Sequence, residues 1–334
     1  MNHDANVSVL LKSRPIGLPK LEDFDIVSSE IPVIGEGEVL LEILWISLDP
    51  YMRGRMNDSK SYAPSVRIGE PMIAGVVAQI KSSRTPLFVE GDIVEGRSGW
   101  QKYAVSDGIG LRKIDPTLAP IQTAVGILGM PGLTAYFGFL DVCEPKPGDI
   151  VVVSAASGAV GQVVGQIAKL MGCLVIGTAG TDEKVSYIVN DLGFDYGINY
   201  RSQNIGESLD KYCPDGIDIY FDNVGGELTD LVMERLKIGA RISVCGQISQ
   251  YNNSQLELGP RNMGNLVKSQ AKMQGFLVFA YEYRYPQALE RMADWISKGK
   301  LKYKEDIVDG IENAPKTFIG MLNGENFGKT LIRI

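Results

Sequence analysis

Within a few positions near residue 150 the apolar pattern changes period. Val151, Val152 and Val153 form a β-branched run that is apolar on both faces, as in a parallel strand covered on both sides. AASGAVG (155–161) interrupts the run, and Val163, Val164, Ile167, Ala168 and Met171 then recur at helical spacing. A second apolar run, CLVIGT (173–178), completes a βαβ unit. The alternation continues. A helix is predicted over 182–192, opened by Thr181 and closed by Gly193. Strands follow at 196–200, 216–222, 240–246 and 272–279, and helices at 204–212, 227–236 and 286–298. Six strands with intervening helices predict a doubly wound α/β sheet. Ligands in that architecture sit beyond the carboxyl ends of the strands, which singles out Thr178-Ala179-Gly180, Tyr200, Asn223 and residues 245–251.

The first third of the chain has a different rhythm. Short alternating segments at 7–12, 24–28, 38–48, 72–80, 92–96 and 100–105 are separated by Pro- and Gly-containing turns, with little helical spacing. They predict a partly open β-barrel up to about residue 115. Helical periodicity enters at 119–128 and 132–139, and the turn 145–149 (PKPGD) feeds the central strand. After residue 300 short strands return around a helix at 313–322, so the tail is predicted to rejoin the first domain. The expected division is 1–130 with 301–334 as one domain and 131–300 as the other.

Composition narrows the function. The chain has 334 residues, enough for two cores, and its 45% hydrophobic content fits a globular protein. A net charge of −7 and a pI near 5.0 argue against nucleic acid or an anionic membrane as partner. No apolar run reaches membrane-spanning length, and the start of the chain lacks a signal-peptide order, so a cytoplasmic protein is expected. Cys143, Cys173, Cys213 and Cys245 are widely spaced and form no CxxC, which predicts reduced thiols. The single histidine is His3, read as a solvated tail residue. That count argues against a Ser-His-Asp triad, a Cys-His dyad and a His-ligated zinc, so no metal site is expected.

The turn at 155–161 carries the candidate chemistry. Set against G-x-G-x-x-G, Gly158 and Gly161 fill the second and third glycine places, and Ala156 stands at the first. Gly158 would let the backbone approach a diphosphate, and Gly161 would let the helix pack closely on the strand. Free N–H groups and the helix dipole would hold the anion. An NAD-binding site places an acid at the end of the second strand, but this strand ends Gly177-Thr178-Ala179-Gly180. Lys184 follows four residues later, and Tyr200 and Arg201 end the third strand. The missing acid and the nearby cation predict NADPH over NADH.

These residues resemble the medium-chain dehydrogenase/reductase superfamily, and more narrowly its zinc-free branch of prostaglandin reductases, alkenal double-bond reductases and curcumin-reductase-like proteins. The likeness rests on SLDPYMRGRM (47–56), AASGAVGQVVGQIAK (155–169), GTDEK (180–184), FDNVGG (221–226), CGQISQYN (245–252), MQGFLV (273–278) and GENFGKT (324–330), and it covers essentially the whole chain. Zinc-dependent relatives carry Cys-Gly and His where this chain has Ser47-Leu48-Asp49-Pro50-Tyr51, and Gly-His-Glu where it has Gly69-Glu70-Pro71.

The resemblance implies a GroES-like partly open β-barrel domain plus a doubly wound Rossmann domain. It implies NADPH-dependent reduction of the C=C bond of α,β-unsaturated aldehydes and ketones, with hydride delivered to the β-carbon, no metal, and a homodimer. By motif match the cofactor contacts are Gly158, Ala159, Val160, Gly161, Lys184, Tyr200, Asn223, Cys245, Tyr251, Phe276, Val278 and Asn326. Relatives often place a tyrosine shortly before the MQGF segment, where this chain has Lys268. The hydroxyl that polarises the substrate carbonyl is therefore expected from Tyr51 or Tyr251, unless the nicotinamide ribose supplies it. The aromatic stretch Tyr281, Tyr283 and Tyr285 is expected at an interface or a pocket rim. Two alternatives share the cofactor site: a quinone reductase of the same superfamily, and a protein that binds NADPH without turnover.

Overall fold

The chain divides into two units, Met1–Gly126 with Glu305–Ile334, and Ile127–Lys304. They are seen in a computed structural model that describes residues 5–255, 257–260 and 262–334. His3 lies outside the described residues.

The first unit is built from β1 (Ala5–Leu11), β2 (Phe24–Glu30), β3 (Val39–Ser47), β4 (Gly75–Ser83), β5 (Ile93–Arg97), β6 (Tyr103–Ser106) and β7 (Arg112–Lys113), with the short helix α1 (Met52–Arg55) after β3. β1 and β2 pair antiparallel as a separate ribbon. The predicted helix at 119–128 is only a 3-10 turn, Ile121–Val125, bracketed by Pro120 and Gly126. Pro120 supplies no N–H, and the backbone at Gly126 leaves helical geometry, so the segment cannot propagate.

The second unit opens with α2 (Met130–Leu140) and continues through β8 (Ile150–Val153), α3 (Gly161–Leu170), β9 (Leu174–Ala179), α4 (Asp182–Ser186), β10 (Tyr196–Asn199) and α5 (Ile205–Tyr212). It closes with β11 (Ile217–Asp222), α6 (Gly226–Met233), β12 (Leu236–Val244), α7 (Gly264–Lys268), β13 (Lys272–Gly275) and α8 (Tyr285–Ser297). The sheet order is β10-β9-β8-β11-β12-β13, parallel throughout, which is the doubly wound arrangement. Val151, Val152 and Val153 are fully buried, each contributing about 1.5–3 kcal/mol of apolar transfer.

Two expectations are corrected here. The sixth strand ends at Gly275 rather than 279, because its one neighbour, β12, ends opposite it at Val244 and no ladder partner remains. Residues Val278–Arg284 instead form a 3-10 helix. The helix expected over 182–192 is α-helical only to Ser186 and passes into a π-helical turn at Tyr187–Asp191.

Returning to the first unit, β14 (Glu305–Asp309), α9 (Ala314–Leu322) and β15 (Lys329–Arg333) complete a seven-stranded sheet in the order β14-β15-β3-β4-β5-β7, with β6 also on β3. β15 runs antiparallel to β3, with Leu331 opposite Ser47. The order leaves β14 and β7 unpaired with each other, so the barrel is open. Its core centres on Trp100, fully buried, stacked on Phe24 at 5.8 Å and edge-on to Phe318 at 5.6 Å.

Candidate functional site

The β8–α3 turn is shaped by what its side chains lack. A Cβ on Gly161 would lie 2.4 Å from the Ala155 carbonyl oxygen and 2.8 Å from Ala156 Cα, so only glycine lets α3 begin this close to the turn. At Gly158 the same oxygen would be 3.2 Å away. The one left-handed residue of the turn is Ala155 (φ 48°), not Ala156, which carries the first glycine place in the motif alignment. That conformation costs an alanine about 1–2 kcal/mol. Ala156 is fully buried, and its N–H donates to the Thr178 carbonyl at 2.9 Å. Its methyl would meet a Cβ on Gly177 at 2.7 Å, so the glycine missing from the turn is compensated by one on the neighbouring strand. Ala159 and Val160 complete the turn, with Val160 at the helix N-cap. The Gly158 carbonyl accepts from Gln162 N at 3.1 Å.

At the end of β9, Thr181 caps α4 by accepting from the Lys184 N–H at 3.2 Å. Lys184 itself is buried in that first turn, 8% exposed. Of the two acids in that turn, Asp182 accepts from Asn199 Nδ2 at 2.6 Å, which ties it toward β10. Gly180 is held free of a side chain by Tyr200: a Cβ there would lie 2.7 Å from the tyrosine hydroxyl and 3.4 Å from Arg201 Nε. Gly180, Tyr200 and Arg201 therefore converge, with the Arg201 guanidinium 5.9 Å from the centre of the Tyr200 ring.

Asn223 ends β11, and its side chain is already committed. Nδ2 donates to the Ser154 carbonyl at 2.8 Å, and its backbone N–H donates to Ser154 Oγ at 2.8 Å. The residue ties the end of β11 to the end of β8, and its amide oxygen takes no part in either bond. Beneath it, Asp222 is buried and accepts from Tyr220 Oη (2.9 Å), Val224 N (3.0 Å), Gly225 N (2.8 Å) and Thr229 Oγ1 (2.7 Å). Burial, and then the Asp222 charge, push the Tyr220 phenol well above its ordinary range, so it stays a donor. Ser154 and Asp222 are functional supports that sequence reasoning missed. Ser154 carries one local signal, a polar residue directly after an Ile-Val-Val-Val strand.

The remaining candidates divide by role. Cys245 donates its N–H to the Asp222 carbonyl at 2.8 Å, and burial, reinforced by that carboxylate, pushes its thiol up to about 12. Tyr251 turns back on its own loop: its hydroxyl accepts from Gln247 N at 3.4 Å and would lie 3.0 Å from a Cβ on Gly246. Phe276 lays its ring where a side chain on Gly138 would stand, and Val278 is buried in the core. Side chains at both positions are packing groups. Lys268 is exposed at the last position of α7. Tyr281 stacks on Phe137 at 4.8 Å, whereas Tyr283 is 81% exposed.

Two candidates belong to the other unit. Asn326 donates from Nδ2 to the Gly328 carbonyl at 3.0 Å, within the turn before β15. Tyr51 stands at the N-cap of α1, half-buried against the barrel core. Burial is the main cause that raises its phenol above the ordinary range, with the Asp49 charge adding to it, so the hydroxyl keeps its proton at neutral pH. Among the described residues no group of three or more His, Cys, Asp or Glu is placed to hold a metal ion.

Comparison with known proteins places this geometry. Residues 8–114 match a family model described as the N-terminal domain of oxidoreductase, and residues 159–294 match one described as zinc-binding dehydrogenase. The NADPH-dependent curcumin reductase of Escherichia coli (strain K12) is 45% identical over 330 residues, 97% of this chain and 96% of that protein. The 2-alkenal reductase (NADP(+)-dependent) of Nicotiana tabacum is 44% identical, covering 99% of this chain and 98% of its own. The crystal structure of CurA in complex with NADPH from Vibrio vulnificus superposes with a TM-score of 0.94 at 48% identity, covering 98% of both chains. The chain belongs to the medium-chain dehydrogenase/reductase superfamily, in the branch that holds the prostaglandin, 2-alkenal and curcumin reductases.

Proposed function

We propose that this protein is an NADPH-dependent reductase of the C=C bond of α,β-unsaturated aldehydes and ketones. The observation that carries the reading is the pairing of a glycine turn shaped for close backbone approach with an end of β9 that carries no acid itself and is followed by the buried Lys184. Full-length relatives named as NADPH-dependent curcumin reductase and NADP(+)-dependent 2-alkenal reductase support it.

The residues present fit a dinucleotide. Gly158 bears no side chain that would keep a diphosphate from the turn, and Gly161 lets α3 start close against it, so that the helix N-terminus faces the anion. Lys184 places a cation in the first turn of α4, while Asp182 is held by Asn199. A 2′-phosphate on the adenosine ribose therefore gains a partner in Lys184. When bound, NADPH supplies the hydride. Ser154 and Asp222 fix the turn at Asn223, so that the amide oxygen is presented in one orientation. Tyr51, with its phenol kept protonated, donates to the substrate carbonyl oxygen as negative charge develops there. The α-carbon is protonated from solvent. Tyr251 serves mainly to fold its loop, because its hydroxyl is turned onto Gly246 and Gln247. The resemblance further implies a homodimer, which sedimentation of the purified protein tests.

The test is NADPH oxidation by the purified protein with a medium-chain 2-alkenal, with NADH and a simple quinone in parallel. A saturated aldehyde formed with NADPH, and much less with NADH, is the expected result. Turnover with the quinone alone would assign the protein to quinone reduction. Tight NADPH binding with no turnover would make it a binding protein.

A further inference from the structure

The first unit carries a buried ion pair that the proposed chemistry does not yet use. Lys329, at the start of β15, is 3% exposed along its side chain, and its partner Asp49 is 7% exposed. Lys329 Nζ donates to Asp49 Oδ1 at 2.9 Å and to the Leu48 carbonyl at 2.7 Å. Ser47 Oγ donates to the other carboxylate oxygen, Asp49 Oδ2. Both oxygens of the aspartate are thereby held, and its side chain has no freedom to turn. The backbone is fastened at the same place: Leu48 N–H donates to the Thr330 carbonyl at 3.1 Å, and Met52 N–H to the Asp49 carbonyl at 3.1 Å.

The Leu48, Asp49 and Met52 backbone that this cluster fastens lies within three residues of Tyr51. Taking two charges out of water is costly, and well-packed apolar residues often replace such a pair without loss of stability. A pair spent on one two-residue stretch of backbone is therefore better explained by what it orients than by stability. We propose that Lys329 is a positioning residue: acting through Asp49 and the Leu48 carbonyl, it holds the Asp49-Pro50-Tyr51 turn so that the Tyr51 hydroxyl meets the substrate carbonyl. This rests on the reading of Tyr51 as the carbonyl's donor.

The test is a double-mutant cycle on kcat with a 2-alkenal, using variants checked for thermal stability and for NADPH affinity. Lys329→Met alone leaves the Asp49 charge buried without its partner and is expected to lower the melting temperature, so it is paired with Asp49→Asn. The expected result for D49N/K329M is wild-type NADPH affinity and near wild-type melting, with kcat about 10- to 100-fold lower, the scale of a misplaced reacting group. Tyr51→Phe should lower kcat in the wild-type background and have almost no further effect in D49N/K329M, because the hydroxyl is already out of position. Unchanged kcat in D49N/K329M, no effect of Tyr51→Phe in the wild-type background, or equal losses from Tyr51→Phe in both backgrounds would each overturn the proposal.

A readout without turnover separates this proposal from the functional reading. In crystals grown without substrate, the Tyr51 hydroxyl of D49N/K329M should lie about 1 Å or more from its wild-type position after superposition of the barrel strands. If the wild-type enzyme reduces no alkenal, the functional reading fails, and this displacement alone decides whether Lys329 positions Tyr51. An unchanged Tyr51 position would overturn it.

Discussion

Two turns carry the candidate chemistry, and they are held by opposite means. The β8–α3 turn is defined by missing atoms: Gly161, Gly158 and Gly177 leave the space into which backbone and the Ala156 methyl pack. The β3–α1 turn is defined by added charge, with Lys329, Asp49 and Ser47 closed around it. A turn made by exclusion tolerates no added atom, because the obstacle is backbone that cannot move aside. A turn made by charge tolerates a change of shape, and fails when one partner is removed and the other is left buried alone. The first suits a site that must accept an anion at close range. The second suits a site that must hold one side chain at a fixed angle.

The sharpest way to break this comparison is Gly161→Val. Its Cβ alone would overlap the Ala155 carbonyl, so a loss of about 3 kcal/mol or more, or no folded protein, is expected in thermal or denaturant unfolding. A variant that melts like the wild type would show that the turn can relax. Lys184→Ala addresses the ligand end of the same unit. Loss of one charge-assisted contact should weaken NADPH binding about tenfold, or about 1.4 kcal/mol, and leave NADH binding nearly unchanged. Equal effects on the two nucleotides would remove the 2′-phosphate from the account of Lys184.

The smallest effect belongs to Glu305, which lies opposite Lys329 in the β14–β15 register. Its Oε1 is buried without a hydrogen-bond partner, and burial raises its carboxyl above the usual carboxylate range, although Gln122 and Lys329 act against that shift. A raised folded-state value means that the ionised form costs stability. The cost is present above that value and disappears as pH falls toward the unfolded one. Glu305→Gln should therefore raise the melting temperature by about 1–2 °C at pH 7–8, and the gain should shrink as the pH falls toward the ordinary carboxylate range. A gain that persisted at low pH would place its origin in packing rather than charge.

What the sequence revealed follows the same contrast. The sheet was legible because its strands announce themselves by runs such as Val151–Val153 and by the glycines between them, all local signals. Gly158, Gly161 and the Thr181 cap lay where spacing put them. The supports of the site were not legible. Nothing local marks Asp222 as the acceptor for its own turn, or Asn223 as a residue whose amide already binds Ser154. Lys329 and Asp49 stand 280 positions apart, and no periodicity links them. The 3-10 helix at Val278–Arg284 was misread for a related reason. MQGFLVF has a strand's composition, but whether it is a strand depends on β12, which stops at Val244.

The pairing of β15 with β3 also orders events during synthesis. Ile127–Lys304 is continuous, and its six strands can assemble as soon as it has emerged. The barrel unit cannot close then, because β3 still lacks the strand opposite Ile46 and Ser47, and Asp49 still lacks its cation. At about 5–20 residues per second, the first 126 residues wait roughly 10–40 seconds for β15, with one sheet edge open. The nascent chain is thus most exposed to mispairing just before its last thirty residues arrive, and a chain truncated near residue 304 would carry an unfinished barrel.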